Sequence, residues 1–270
     1  MRIMKIYPSV LSIAGFDGSG GAGIQADIKT ISALGGYATT VLTALPVQNT
    51  MGVKSIFPIP PKVVQEQLET IAEDILPSAI KIGMVYSADL IEIIANFLND
   101  FPEIPVVFDP VMASTSGKKL FSKETNELFI KKLFPRVSIL TPNIDEASLL
   151  TNQTIQSVET MEKAGRLLLD MGIQSLLLKG GHLQGEQLTS LFFDTNKCIH
   201  RFDTQKIHSQ NTHGTGCTLS SAIAAYLALE KTPLEAVTLA QDYVYKAIFY
   251  AKNIQWGKGN GALHHFFIEE

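Results

Sequence analysis

Residues 10–23 read Val10-Leu11-Ser12-Ile13-Ala14-Gly15-Phe16-Asp17-Gly18-Ser19-Gly20-Gly21-Ala22-Gly23. A short apolar run passes straight into a glycine-rich turn, and a helix follows. A strand that is apolar or small on both faces belongs in a parallel sheet covered by helices. The pattern recurs. Val10–Ala14, Ala79–Ile82, Val106–Phe108, Ser138–Leu140 and Ser175–Leu178 all have the composition of buried strands. Helical periods lie between them. Lys62–Ile75 places Val64, Leu68, Ile71 and Ile75 on one face, and Asp89–Leu98 does the same with Leu90, Ile93, Ile94 and Phe97. Thr160–Met171 and Gly216–Leu229 read likewise. Strand and helix in rotation predict right-handed crossovers and a mainly parallel sheet.

Two regions interrupt that rotation. Tyr37–Thr43 and Val53–Phe57 are β-rich, with the short polar segment Gln48-Asn49-Thr50 between them. Further on, Leu188–Asp194 and Ile199–Lys206 read as an antiparallel hairpin around Thr195-Asn196. Neither is long enough to be a domain, and no linker, charge block or repeat divides the chain. Residues 1–270 are expected to form a single α/β domain.

Composition narrows the function. The 270 residues are 46% hydrophobic and 18% charged, as in a globular chain. A length of this order buries roughly three quarters of its unfolded surface. Lys and Arg number 22 against 26 Asp and Glu, a net charge of −4. That argues against a nucleic-acid partner, which needs a basic face. Two cysteines make neither a disulfide framework nor a four-thiolate zinc site, and a cytoplasmic setting is expected. Pro8, Ser9 and Ser12 break the N-terminal apolar stretch, and no small-residue cleavage site precedes Asp17. Met1–Phe16 therefore reads as a buried strand rather than a signal peptide. No apolar run is long enough to span a bilayer, so no membrane partner is expected.

In open parallel sheets, ligands bind beyond the carboxyl ends of the strands. The residues found there are Gly15 through Gly23, Gly83-Met84, Asp109-Pro110-Val111-Met112, Thr141 through Glu146, and Lys179-Gly180-Gly181-His182. Gly18 through Gly23 matches the G-x-G-x-x-G dinucleotide fingerprint in letters. A nicotinamide site also needs an acidic residue about twenty positions on, where Leu42, Thr43, Ala44 and Leu45 stand instead. No Lys-Ser or Lys-Thr follows the glycines directly, which removes a P-loop. The glycines either permit a tight turn or let the backbone approach a small ligand closely. The second is the expectation.

Asn211-Thr212-His213-Gly214-Thr215-Gly216-Cys217 opens a helix. Gly214 and Gly216 let successive N–H groups converge, and the helix end adds its positive field. Such a pocket suits a phosphoryl group in transfer. A thiol at that helix end has a lowered pKa and could take a hydroxyl proton; otherwise Cys217 is a buried structural cysteine. Cys198 lacks such surroundings and reads as inert. Asp109 and Glu146, each after an apolar strand, either hold Mg²⁺ together with nucleotide phosphates or are ordinary carboxylates. Lys179 is a phosphate contact or a solvated loop lysine. His213 caps its loop or is structural, and His264 and His265 read as tail residues without metal partners.

In order along the chain, these segments resemble the hydroxymethylpyrimidine/phosphomethylpyrimidine kinases. The likeness is carried by Ala14–Asp17, Gly20–Asp27, Val47-Gln48-Asn49-Thr50, Lys81-Ile82-Gly83-Met84, Asp109–Met112 and Thr141-Pro142-Asn143. Lys179–His182, Asn211–Thr218, Gly257-Lys258-Gly259 and His264-His265-Phe266 complete it, from Val10 to about Phe267. The resemblance implies a three-layer ribokinase-like fold, a central mainly parallel sheet flanked by helices, with a small β flap beside the substrate. It implies ATP-dependent phosphorylation of 4-amino-5-hydroxymethyl-2-methylpyrimidine and then of its monophosphate, in thiamine biosynthesis, by a homodimer. Gly15, Asp27, Gln48, Met84 and Val111 would line the pyrimidine pocket, and the Gln48 amide offers donors and an acceptor to an aminopyrimidine edge. Cys217 takes the place of the catalytic aspartate of related sugar kinases. Asp109, Asn143, Glu146, Lys179 and Thr215 would serve Mg²⁺–ATP. Pro46 departs from the small residue usual beside the flap. Pyridoxal kinases of the same branch share the glycine loops but not the glutamine, so Gln48 favours the pyrimidine. A non-catalytic vitamin or nucleotide sensor would not need Cys217, Asp109, Glu146 and Lys179 together.

Overall fold

A computed structural model describes residues 7–111, 123–181, 183 and 185–267. Eight strands form the main sheet: β1 (Ser9–Ala14), β2 (Tyr37–Leu42), β5 (Ala79–Ile82), β6 (Val106–Phe108), β7 (Ile139–Leu140), β8 (Ser175–Leu178), β9 (Gln187–Phe193) and β10 (Ile199–Gln205). Their spatial order is β10-β9-β8-β7-β6-β5-β1-β2. The run from β8 to β2 is parallel, and β9 and β10 add antiparallel strands at one edge. β3 (Ala44–Asn49) and β4 (Gly52–Pro58) make a separate two-stranded flap.

Strand alternation divides the core into two layers. Leu11 and Ile13 of β1 and Ile80 and Ile82 of β5 face α2 (Pro61–Asp74), α3 (Ala88–Asp100) and α6 (Val158–Leu169). The opposite face receives Val10, Ala79 and Val107, packed on α1 (Gly23–Ala33), α7 (Thr215–Ala228) and α8 (Pro233–Ala251). The first layer also takes in α4 (Lys123–Leu128), which continues into the turns Phe129–Leu133 and Phe134–Arg136, and α5 (Ile144–Thr151). Among the described residues no helix is long and apolar enough to cross a membrane.

The sequence reading placed the central strands within a residue and the hairpin at β9–β10. It differed in three respects. Tyr37–Leu42 is not part of the interruption, because β2 pairs in parallel with β1 at the sheet edge. Gln48 and Asn49 are not a polar segment between β stretches but the end of β3, paired with Val53 and Gly52. Helix α8 went unread because much of its buried stripe is alanine: Ala236, Ala240, Ala247 and Ala251. Small side chains weaken the apolar period without weakening close packing. Met1–Ile6, Met112 and His182 lie outside the described residues.

Candidate active site

The carboxyl ends of β1, β5, β6, β7 and β8 open on one side of the sheet, and the loops that follow them surround a cavity of about 370 Å³. Ala14, Gly15, Ala22 and Gly23 form one wall, and Gln48, Val53 and Ile56 of the flap another. Lys81, Met84, Asp109, Val111, Asn143, Glu146 and Lys179 come from the strand ends, and Thr212–Cys217 closes the ring. Twelve positions expected from the sequence thus meet here: Gly15, Gln48, Met84, Asp109, Val111, Asn143, Glu146, Lys179, Gly214, Thr215, Gly216 and Cys217.

The two glycine loops are interlocked. Gly214 has φ +85°, and a Cβ there would fall 1.8 Å from the Gly21 carbonyl oxygen. Gly23, with φ +55°, lies as tightly against the Gly15 carbonyl. Only glycine satisfies both demands. Asp17 clamps the assembly. Its carboxylate accepts from the Ser19, Gly21 and Ala22 N–H groups and lies 2.9 Å from His213 Nε2. Burial pushes the Asp17 pKa up, yet the bonds from His213, Ser19 and Ala22 hold it well below the usual carboxylate range. His213 is therefore a tie between loops. Most of the close approach foreseen for the first glycines is made to the second loop.

Helix α7 begins at Thr215, and Gly214 before it supplies no side-chain cap. Its first-turn N–H groups have no intrahelical acceptor; that of Thr215 donates back to the Thr212 carbonyl, and Thr215, Gly216 and Cys217 line the cavity. Gly216 keeps this end close to the facing wall: a Cβ there would sit 3.2 Å from Asp109 Oδ2 and 3.4 Å from Lys179 Nζ. Asp109 is itself 2.8 Å from Lys179 Nζ and accepts from the Thr141 hydroxyl. Burial draws the Lys179 pKa down, but Asp109 and Glu146 more than offset it and leave the ammonium firmly charged. Glu146 and Asn143 form a reciprocal cap at the start of α5, with Asn143 N–H donating to Glu146 Oε2 at 2.8 Å.

Three expectations need correction. The Cys217 thiol is not acidified: burial pushes its pKa up to about 11, aided by Asp27 and Asp109, against an opposing pull from Lys81. Desolvation outweighs the helix end. Asp27 does not line the pocket. It is wholly buried, its oxygens held by Lys81 and by the Ser12 and Ser221 hydroxyls. His265 is no free tail residue. It is 3% exposed, within 3.0 Å of the Thr218 hydroxyl. Sequence reasoning missed Lys81 as a site residue, although a lysine inside a strand buried on both faces is itself a signal.

A mainly parallel three-layer sheet with a helix-end anion pocket, two lysines and two carboxylates around one cavity defines a small-molecule kinase of the ribokinase-like class. Residues 17–264 match the phosphomethylpyrimidine kinase family, and the chain belongs to it. It is 42% identical to the hydroxymethylpyrimidine/phosphomethylpyrimidine kinase of Salmonella typhimurium over 96% of this chain and 97% of that one. It is 43% identical to the Geobacter sulfurreducens thiamine biosynthesis bifunctional protein ThiED, of which it spans only 53%. A Clostridium difficile phosphomethylpyrimidine kinase structure superposes with TM-score 0.78 at 42% identity, covering 89% of this chain and 99% of that one. An ADP complex of Bacillus subtilis pyridoxal kinase gives TM-score 0.90 at 30% identity, over 98% and 99% of the two chains.

Proposed function

We propose that this protein transfers the γ-phosphoryl group of ATP to the hydroxymethyl oxygen of 4-amino-5-hydroxymethyl-2-methylpyrimidine, and then a second group to the monophosphate. The observation that carries the reading is that Gln48 and Cys217 line the same cavity as the open end of α7. The Gln48 side chain makes no hydrogen bond among the described residues, so its amide is available to the aminopyrimidine edge. Met84, Val111, Pro46 and Gly15 give the ring apolar walls. The Gly214 and Gly216 N–H groups receive the phosphoryl group in flight, beside the Cys217 sulfur, which positions the hydroxymethyl group. Lys179, Asn143 and Thr215 meet the phosphates of ATP. A second groove, walled by Lys206–Thr212 and Lys252–Gly259 and sharing Thr212 with the cavity, gives the adenosine room outside the reaction space.

The donor set suits Mg²⁺. Asp109 and Glu146 supply two carboxylates on one wall, and no group of three or more His, Cys, Asp and Glu residues that could hold a metal occurs among the described residues. Mg²⁺ typically takes one or two carboxylates and completes its shell with phosphate and water. Asp109 and Glu146 would hold the ion, which when bound neutralises charge on the transferring phosphates. A cytoplasmic homodimer completes the reading. The outer face of the flap leaves Leu45, Val47 and Phe57 exposed, an apolar strip a second copy would cover.

The test is ATP consumption with hydroxymethylpyrimidine, its monophosphate and pyridoxal offered side by side, for the wild type and Cys217→Ala. Turnover of the hydroxymethyl compound should fall about a hundredfold or more with little change in KM. Preference for pyridoxal in the wild type, or an equal loss in kcat and affinity, refutes the assignment.

A further inference from the structure

The flap that carries Gln48 needs support from elsewhere in the chain. Two antiparallel strands alone are marginal in water, and β3 and β4 form a sheet of their own. Their register also slips beside Gln48: Val47 pairs with Ser55, but Gln48 pairs with Val53. Such a bulge re-aims the side chains next to it. Here it lets Val53 and Ile56, three positions apart, both line the cavity with Gln48. The base of the flap is firmly held. The Phe16 N–H donates to the Ala44 carbonyl, the Ile59 N–H to the Thr43 carbonyl, and the Thr43 hydroxyl to the Met84 carbonyl. Gln48 lies at the other end, two residues before Thr50 at the tip.

Thr50 fastens that tip to a late loop. The Gly259 N–H donates to the Thr50 hydroxyl at 3.2 Å. A Cβ on Gly257 would fall 2.5 Å from Thr50 Oγ1, and one on Gly259 would fall 2.0 Å from the Thr50 carbonyl oxygen. Neither glycine has a positive φ. Room for Thr50, rather than backbone conformation, is therefore what a side chain would take away. The loop continues towards the phosphoryl pocket. Asn260 lines the cavity, and Gly261 packs on Asn211 and accepts the His213 N–H at 3.0 Å. Residues 257–261 thus run as a strap from the flap tip to the loop that opens α7.

We propose that Thr50 is a positioning residue for pyrimidine recognition and acts through Gln48. Its hydroxyl, held by the Gly259 N–H, fixes the flap tip at a set distance from Gly214 and Gly216. Gln48 then meets the ring edge while the hydroxymethyl group reaches the phosphoryl pocket. This deepens the function proposed above and rests on it. Loss of the hydroxyl frees the tip but leaves the strap in place, because Gly261 still ties it to His213. The ring edge loses a preorganised partner, which costs affinity, and the reacting groups stay where they were.

Both pyrimidines present the same ring edge, so both should respond. In Thr50→Val, KM for the hydroxymethyl compound and for its monophosphate should rise about fivefold, in keeping with one lost hydrogen bond. Turnover and the KM for ATP should stay within about twofold, as expected when only binding of the ring is weakened. Thr50→Ser keeps the hydroxyl and should hold the pyrimidine KM within about twofold of the wild type. A double-mutant cycle reads the route of the effect. Once Gln48→Met has removed the amide, Thr50→Val should add nothing to the pyrimidine KM. Additive losses in the double variant, or an unchanged KM in Thr50→Val, overturn the role of Thr50. So does a Thr50→Ser enzyme as impaired as Thr50→Val, or a loss of turnover and ATP affinity equal to the loss for the pyrimidine. A wild-type chain that phosphorylates neither pyrimidine refutes instead the function on which the role rests.

Discussion

Two lysine–aspartate pairs stand at the reaction cavity, one on its wall and one reaching behind it, and they are built differently. Lys81–Asp27 has both side chains at 0% exposure and two serine hydroxyls on the carboxylate. Lys179–Asp109 sits at the ends of β8 and β6 with 16% and 4% exposure, supported on the carboxylate by Thr141. The first pair cannot exchange partners without leaving a charge in the core. The second can, because an incoming phosphate or metal ion offers each member a new partner. The same pair of side chains is thus sealed in the core in one place and left at the cavity edge in the other, and the surrounding protein makes the difference.

Lys81→Met alone tests the first half of that contrast most severely. It leaves Asp27 buried without its cation, and stability should fall by about 3–5 kcal/mol in urea titration. A loss under about 1 kcal/mol would break the contrast. His265 sharpens it from the same helix layer, as a buried group facing a hydroxyl but no carboxylate. Burial pulls its pKa from 6.5 down to about 4. A base whose folded pKa lies below its unfolded one contributes stability above pH 6.5. That contribution, about 3 kcal/mol, disappears as the pH falls through 4. Melting temperatures should decline through this window, and His265→Phe should flatten the decline.

Lys179→Met addresses the second pair. Turnover should drop about a hundredfold while stability falls less than in Lys81→Met, because Lys179 keeps some contact with solvent. Gln48→Met on the flap should have the smallest effect. The pyrimidine KM should rise about tenfold, and selectivity against pyridoxal should relax. An unchanged KM would remove Gln48 from the pocket.

Much of this architecture was legible in the letters. Strands buried on both faces announce themselves, so Ala79–Ile82, Val106–Phe108 and Ser175–Leu178 were placed residue for residue. Glycines, carboxylates and Lys179 at strand ends marked the cavity because parallel sheets put their ligands there. The flap was misread because Gln48 and Asn49 carry polar side chains inside a strand, and pairing with β4 overrides their weak β preference. The letters left Cys217 open between an acidified thiol and a structural one, and the structure removes the first, since its surroundings of Asp27, Asp109 and Lys81 involve residues far apart in sequence.

The order of strands and helices, the cavity's location and most of its lining follow from local pattern and from the geometry of parallel sheets. Which charged groups stand inside the cavity and which behind it followed only from the folded chain. Asp27 and Lys81 are 54 positions apart and Asp27 and Ser221 are 194 apart. Their meeting depends on strand register and on how α1 and α7 pack across the sheet. Desolvation acts on such an assembled environment, and no single segment of the chain carries it.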